Sequence, residues 1–154
     1  MIIAAKVILF LLWVNGLPPL ANMIWGERFN RPVDGGRLWF DGRPILGSHK
    51  TIRGLLISIL GGAAVSPILG LSWKVTAIAA FLAMAGDMLT SFIKRRLGFS
   101  PSRQVPGLDQ LPETLLPLTI YAGTLRLQWF QVLILAAVFL VLDLLFTRLV
   151  RNAG

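Results

Sequence analysis

Between Val75 and Ala85 the chain carries one polar side chain, Thr76, and two residues further on it places an acid, Asp87. A carboxylate at the end of so apolar a run loses hydration at a bilayer boundary and is costly to keep unless something is set against it. The juxtaposition therefore predicts a membrane-spanning helix that ends in a site. Asp87, Ser91 and Lys94 or Arg95 recur at helical spacing, so one face would carry an acid, a hydroxyl and a cation. Lys94, Arg95 and Arg96 alone are what anchors the cytoplasmic end of a span. Anchoring needs no acids, yet a second one, Asp109, follows in the Leu108–Gln110 stretch.

Composition agrees. The 154 residues are 55% hydrophobic, with a mean hydropathy of +0.72, which places the chain in the membrane class. The net charge of +8 sits beside apolar runs, the pattern of membrane orientation and of anionic headgroups or phosphates, so nucleic acid is not expected as a partner. There is no cysteine and one histidine, His49. Thiolate and His-rich zinc sites are thereby excluded, and any metal would have oxygen ligands, which favours Mg²⁺ or a similar hard cation.

Five apolar segments of near-span length can be marked, at 1–25, 52–71, 73–95, 111–125 and 128–147. The expected fold is an all-α integral membrane protein, a single domain of about five transmembrane helices with two polar cytoplasmic loops. The first segment holds Pro18-Pro19 and reads as one kinked helix that is retained, since no small-x-small cleavage site follows it. The second contains Gly61-Gly62-Ala63-Ala64, small residues that admit a close neighbour within the chain or from another protomer in a homo-oligomer. The fourth, with Pro112, Glu113 and Pro117, is a span or a re-entrant segment. Asp143 in the fifth is expected near the headgroups, outside the main site.

Placing 26–53 and 94–110 on one side gathers twelve of the fifteen basic residues there, Arg148 and Arg151 included, and leaves Lys6, Lys74 and Arg126 opposite. The positive-inside rule then puts the N-terminus outside and the C-terminus in the cytoplasm. The loop 26–51 has five glycines, two prolines and alternating charges, and with Trp39 and Phe40 it is expected to be ordered. Its end, Gly42–Thr51, approximates a Walker pattern, but Ser48 and His49 separate the second glycine from Lys50, and no βαβ unit surrounds it. Lys50 and Thr51 at the start of a helix could still bind an anion. His49 reads equally as a solvated loop residue or a polar contact to substrate.

The series Ala21-Asn22, PVDGG at Pro32–Gly36, DGRPILGSHKTIRG at Asp41–Gly54, GDMLTSFIKRRLG at Gly86–Gly98 and LDQLPE at Leu108–Glu113 resembles CDP-archaeol synthases. These lie within the wider superfamily of membrane CTP-dependent phosphatidate cytidylyltransferases. The resemblance covers nearly the whole chain in order. It implies Mg²⁺-dependent transfer of CMP from CTP to the phosphate of an unsaturated archaeol-type diether lipid in the cell membrane. The superfamily's S-x-x-K-R pattern falls on Ser91, Lys94 and Arg95, and its metal-binding acids on Asp87 and Asp109. The K-D and H-G-G elements found near the second acid in the wider superfamily are absent here. The resemblance further implies that Lys94 acts with the two acids in catalysis, and that Asn22, Asp41, His49, Lys50, Thr51, Arg53, Ser91, Lys94 and Arg95 contact CTP or substrate. Two alternatives stay open on the residues alone: the same reaction on the ester lipid phosphatidate, and a non-catalytic membrane protein or small transporter.

Overall fold

A computed structural model of the chain describes residues 2–100, 103 and 105–153, with side chains from 3 to 145 within that set. The side chains of Arg148 and Arg151, counted above for orientation, lie outside the described residues. Among the described residues there are six helices and no strand: α1 (Ile2–Trp25), α2 (Ile52–Ala64), α3 (Ser66–Leu69), α4 (Trp73–Arg96), α5 (Gln110–Leu125) and α6 (Trp129–Ala153). Helices α1 and α4 are each long and apolar enough to cross a membrane.

The segment expected as one span over 52–71 is broken. A helix running on from Ala64 would need residue 67 to donate to the carbonyl of residue 63, and Pro67 has no N–H and would clash there. The chain instead turns at Val65, makes the four-residue α3 with Pro67 in its first turn, and stops at left-handed Gly70. Ser72 then caps α4, its hydroxyl accepting from the Lys74 N–H.

Helix α1 runs through Pro18-Pro19. Pro18 cannot donate to the Val14 carbonyl, which would be orphaned in an apolar setting. The Ser58 hydroxyl of α2 donates to that carbonyl at 3.0 Å, so the proline that weakens α1 internally ties it to its neighbour.

Helix α4 packs chiefly between α5 and α2, with α1 against α2 and α6 against α5. Its inner face is Ala79, Ala80, Ala83 and Met84, set against Val7, Phe10, Leu11 and Val14 of α1, Leu118 and Tyr121 of α5, and Phe139 of α6. Phe10 and Tyr121 meet edge to face at 5.5 Å. Small residues decide the helix spacing. A Cβ on Gly62 would stand 2.6 Å from the Ala80 Cβ, and one on Gly61 2.3 Å from a Leu17 methyl, so the small-residue step packs inside the chain. The outer surface is apolar too, with Leu9, Met23, Leu60, Ile68 and Trp129 all exposed, as suits a lipid surround.

The tightest approach is at Gly86, where a Cβ would lie 2.3 Å from the Pro112 carbonyl oxygen and 2.6 Å from the Glu113 nitrogen. Because both neighbours are backbone, neither can rotate away. Gly86→Ala is therefore expected to push α5 off α4 and destabilise by about 1–3 kcal/mol, the usual cost of overpacking. Gly123→Ala, with nothing within 4 Å, should leave the melting temperature in detergent unchanged; equal melting of the two variants would contradict the close approach.

Candidate functional site

At one end of the bundle the helices splay around a cavity of about 390 Å³. Part of its lining is apolar, from Pro18 and Pro19 of α1, Leu55 of α2, and Met84 and Met88 of α4. The rest is polar: four acids, Asp87, Asp109, Glu113 and Asp143, and three cations, Lys50, Lys94 and Arg103, line it together with Asn15, Asn22, His49, Thr51 and Gln110.

Each charged group arrives there for a local reason. Asp87 and Lys94 are seven residues apart on α4, two turns, and so share a face. Lys50 comes from the loop over α1 and α2, and its Nζ reaches both Asp87 oxygens, at 2.7 and 2.6 Å. Lys94 Nζ meets Asp109 Oδ1 at 2.8 Å and donates to the Arg103 carbonyl at 2.9 Å. The other Asp109 oxygen accepts from the Val105 N–H. Thr90 bonds the carbonyls of Gly86 and Leu108 at 3.0 and 3.1 Å, holding the connection before α5 against α4.

Of the residues singled out in sequence, Asp87, Asp109, Lys94, Lys50, Thr51, His49 and Asn22 line the cavity, and four others do not. Asp41 lies on the far side of α4, paired with Arg96 at 2.9 Å. Arg53 turns back to the carbonyls of Gly26 and Arg28 and to the Asn22 side chain, fastening the loop to α1. Arg95 is eight residues beyond Asp87, rotated off its face, and donates to the Phe99 carbonyl at 2.6 Å. Ser91 is 4% exposed and packed away from the opening. Thr51 caps α2, its hydroxyl accepting from the Gly54 N–H.

Two acids on the cavity were not assigned to it from sequence. Asp143, expected near the headgroups, instead faces the cavity and accepts from Gln110 Nε2 at 2.9 Å. Glu113, 9% exposed, is one turn on from Asp109 along α5. Both had a sequence signal: an acid four residues after a candidate ligand shares its helix face, and an acid inside an apolar span is a functional pointer by default.

The donor set is all oxygen, of the type a hard divalent cation takes. Among the described residues no three acidic or imidazole groups converge as a ready ligand cluster. Mg²⁺ commonly takes one or two carboxylates and fills its octahedron with water and substrate phosphate oxygens. Asp87 of α4 and Asp109 just before α5 both line the cavity and are the candidates to hold such an ion.

The loop that delivers Lys50 is built around Asp34. Its Oδ2 accepts from the N–H groups of Leu46 and Gly47 at 2.8 and 3.2 Å, and its Oδ1 from Gly36 at 2.9 Å. Partial burial works against the charged form, but these backbone donors outweigh it and hold the Asp34 carboxyl below its ordinary value.

A family model described as CarS-like, CDP-archaeol synthase, matches residues 1–152. Similar curated proteins are CDP-archaeol synthases. That of Sulfurisphaera tokodaii is 45% identical over 85 residues, 52% of this chain and 51% of that protein. That of Hyperthermus butylicus is 39% identical over 103 residues, 63% of this chain and 58% of that protein. That of Pyrococcus furiosus is 40% identical over 89 residues, 51% of this chain and 53% of that protein. The chain thus spans little more than half the length of the curated relatives it matches. A solved structure described as an intramembrane enzyme for archaeal membrane lipids biosynthesis aligns with a TM-score of 0.74 at 33% identity, covering 90% of both chains.

Because the Asp34 carboxyl is held below its unfolded value, its contribution to loop order is present above the unfolded pKa and lost as pH falls through the folded one. Hydrogen exchange of the Leu46 and Gly47 amides should accelerate, relative to the intrinsic rate, only below the ordinary carboxylate range. Asp34→Asn should show that acceleration already at neutral pH; unchanged protection in the variant would deny Asp34 its organising role.

Proposed function

The chain belongs to the CarS-like CDP-archaeol synthase family, and from that premise we propose that it transfers CMP from CTP to the phosphate of an archaeol-type diether lipid. The products are a CDP-activated lipid and pyrophosphate. The observation that carries this reading is one cavity lined by two chemistries: apolar side chains at Pro18, Pro19, Leu55, Met84 and Met88, and lysines and carboxylates beside them. A lipid phosphate presents the same two, apolar tails and a charged head.

Five membrane crossings follow, formed by α1, by α2 with α3, by α4, by α5 and by α6, as one domain. The basic loops support a cavity that opens on the cytoplasmic side of the cell membrane, where CTP is found, with the N-terminus outside.

An oxygen of the lipid phosphate attacks the α-phosphorus of CTP, and the bond from that phosphorus to the bridging β-oxygen breaks, the electron pair leaving with pyrophosphate. The nucleophile is already an anion at neutral pH, so no base has to be supplied. What the protein must do is bring two polyanions together in line. Lys50 and Lys94 are suited to that because Asp87 and Asp109 hold their ammonium groups in place before substrate enters. Arg103, His49 and Thr51 line the same cavity and are suited to bind the remaining phosphate oxygens. Mg²⁺, when held by Asp87 and Asp109, supplies charge neutralisation on the triphosphate and on the departing pyrophosphate. Asp143, on the same cavity, adds negative charge near those two acids and favours a cation there.

With purified protein, labelled CTP, Mg²⁺ and either an unsaturated archaeol phosphate or phosphatidate, CDP-lipid is expected from the diether. Product from phosphatidate alone would move the substrate to an ester lipid. Absence of product from both, with folded protein, would end the cytidylyltransferase reading. Asp87→Asn and Asp109→Asn should each lower kcat by about a hundredfold or more, as the loss of electrostatic stabilisation at a transferring phosphoryl group does. Full activity in either would remove that residue from the site. Lys94→Ala should raise KM for CTP with the melting temperature little changed, and an unaltered KM would reduce it to an anchor.

A further inference from the structure

The loop before α2 carries a small hairpin that the cavity does not use. Leu38 and Pro44 pair across it, the Trp39 N–H donates to the Arg43 carbonyl at 2.8 Å, and Trp39, Phe40, Asp41 and Gly42 form its tip. The hairpin is fastened to the end of α4. Arg43 Nη1 donates to the carbonyls of Arg96 and Arg95 at 2.7 and 3.3 Å, satisfying groups that the helix end leaves open. Arg96 in turn pairs with Asp41, and the Trp39 ring meets Phe92 edge to face at 5.4 Å.

The face of α4 that receives it is decisive. Ile78, Phe81 and Leu89 are exposed, and Ala85, Phe92 and Arg96 continue the same stripe at steps of three and four residues. Asp87 and Lys94 point the other way, into the cavity. In a membrane-embedded chain the exposed apolar stripe is the lipid-facing one, so the hairpin sits directly above lipid, at the level where α4 turns from apolar to basic. The hairpin nonetheless exposes apolar side chains, Phe40 at the tip 97% exposed and Leu38 just before it 63%, while Asp41 is turned to Arg96.

We propose that this hairpin is an interfacial anchor, inserting Phe40, with Trp39 beside it, into the headgroup region of the membrane that α4 crosses. Aromatic rings favour that depth, and the exposed Arg37 at the hairpin base complements anionic lipid headgroups. A soluble partner is disfavoured because the tip continues a stripe that only lipid reaches. The consequence concerns the cavity: the same loop leads through the Asp34 anchor to His49, Lys50 and Thr51, so seating the hairpin in the membrane fixes the depth at which Lys50 meets Asp87. The proposal rests on membrane embedding and not on CMP transfer.

The chain has no cysteine, so Phe40→Cys creates a single labelling site, and the exposed ring can be removed without opening the core. The variant carrying a polarity-sensitive fluorophore is reconstituted in phosphatidylcholine vesicles containing phosphatidylglycerol. Nitroxide placed near the headgroup end of the acyl chains should quench the label strongly, and aqueous iodide should quench it several-fold less than the free dye. Iodide quenching equal to that of the free dye, with no effect of the lipid nitroxide, would overturn the anchor. Both readouts are independent of enzyme activity, so a failure here and a failure of the transfer assay are told apart.

Discussion

The pairing of Lys50 with Asp87 is the constraint on which the rest of the site depends. An acid at the end of an apolar helix needs a cation, and α4 presents its own lysine, Lys94, two turns away, where Asp109 already engages it. The partner for Asp87 therefore comes from the loop, thirty-seven positions earlier in sequence. Drawing Lys50 down to α4 requires the loop to be shaped in advance. Asp34 shapes it from within by gathering backbone N–H groups, and Arg53 fastens its start to the end of α1. Arg43 and Arg96 close it on the opposite face. The loop thus clasps the end of α4, one side serving the cavity and the other the hairpin.

Backbone accounting governs the helices in the same way. An apolar surround offers no water to an unpaired carbonyl, so a proline inside a helix is costly unless another group takes up the carbonyl it orphans. Pro18 is compensated by the Ser58 hydroxyl, which joins α1 to α2 beside the cavity. Pro67 is not, and α2 stops short of it. Glycine does the converse work at Gly86, where the absence of a side chain lets the start of α5 lie against α4. That contact is what brings Glu113 and Asp109 to the wall facing Asp87. A bulkier residue there would separate the acids.

Among the described residues of the cavity no nucleophile is paired with a base, and the proposed transfer does not require one. The proposed joining of two phosphates is a problem of position and charge, and the described lining holds four acids and three cations, with Lys50 paired to Asp87 and Lys94 to Asp109. Family membership, the likeness to a solved intramembrane enzyme and a cavity lined by both apolar and charged side chains all point in the same direction.

Much of this was legible in the chain. Apolar run lengths marked the helices, since a bilayer demands a minimum length. The seven-residue interval from Asp87 to Lys94 put both on one face. The motif series carried the family. Tertiary structure alone decided the pairings, because which cation meets which acid depends on where distant segments pack. It set Lys50 on Asp87, sent Asp41, Arg53, Ser91 and Arg95 away from the cavity and brought Asp143 into it through Gln110. Helical periodicity gives the direction of a side chain around its own axis; what stands opposite is fixed only when the helices meet.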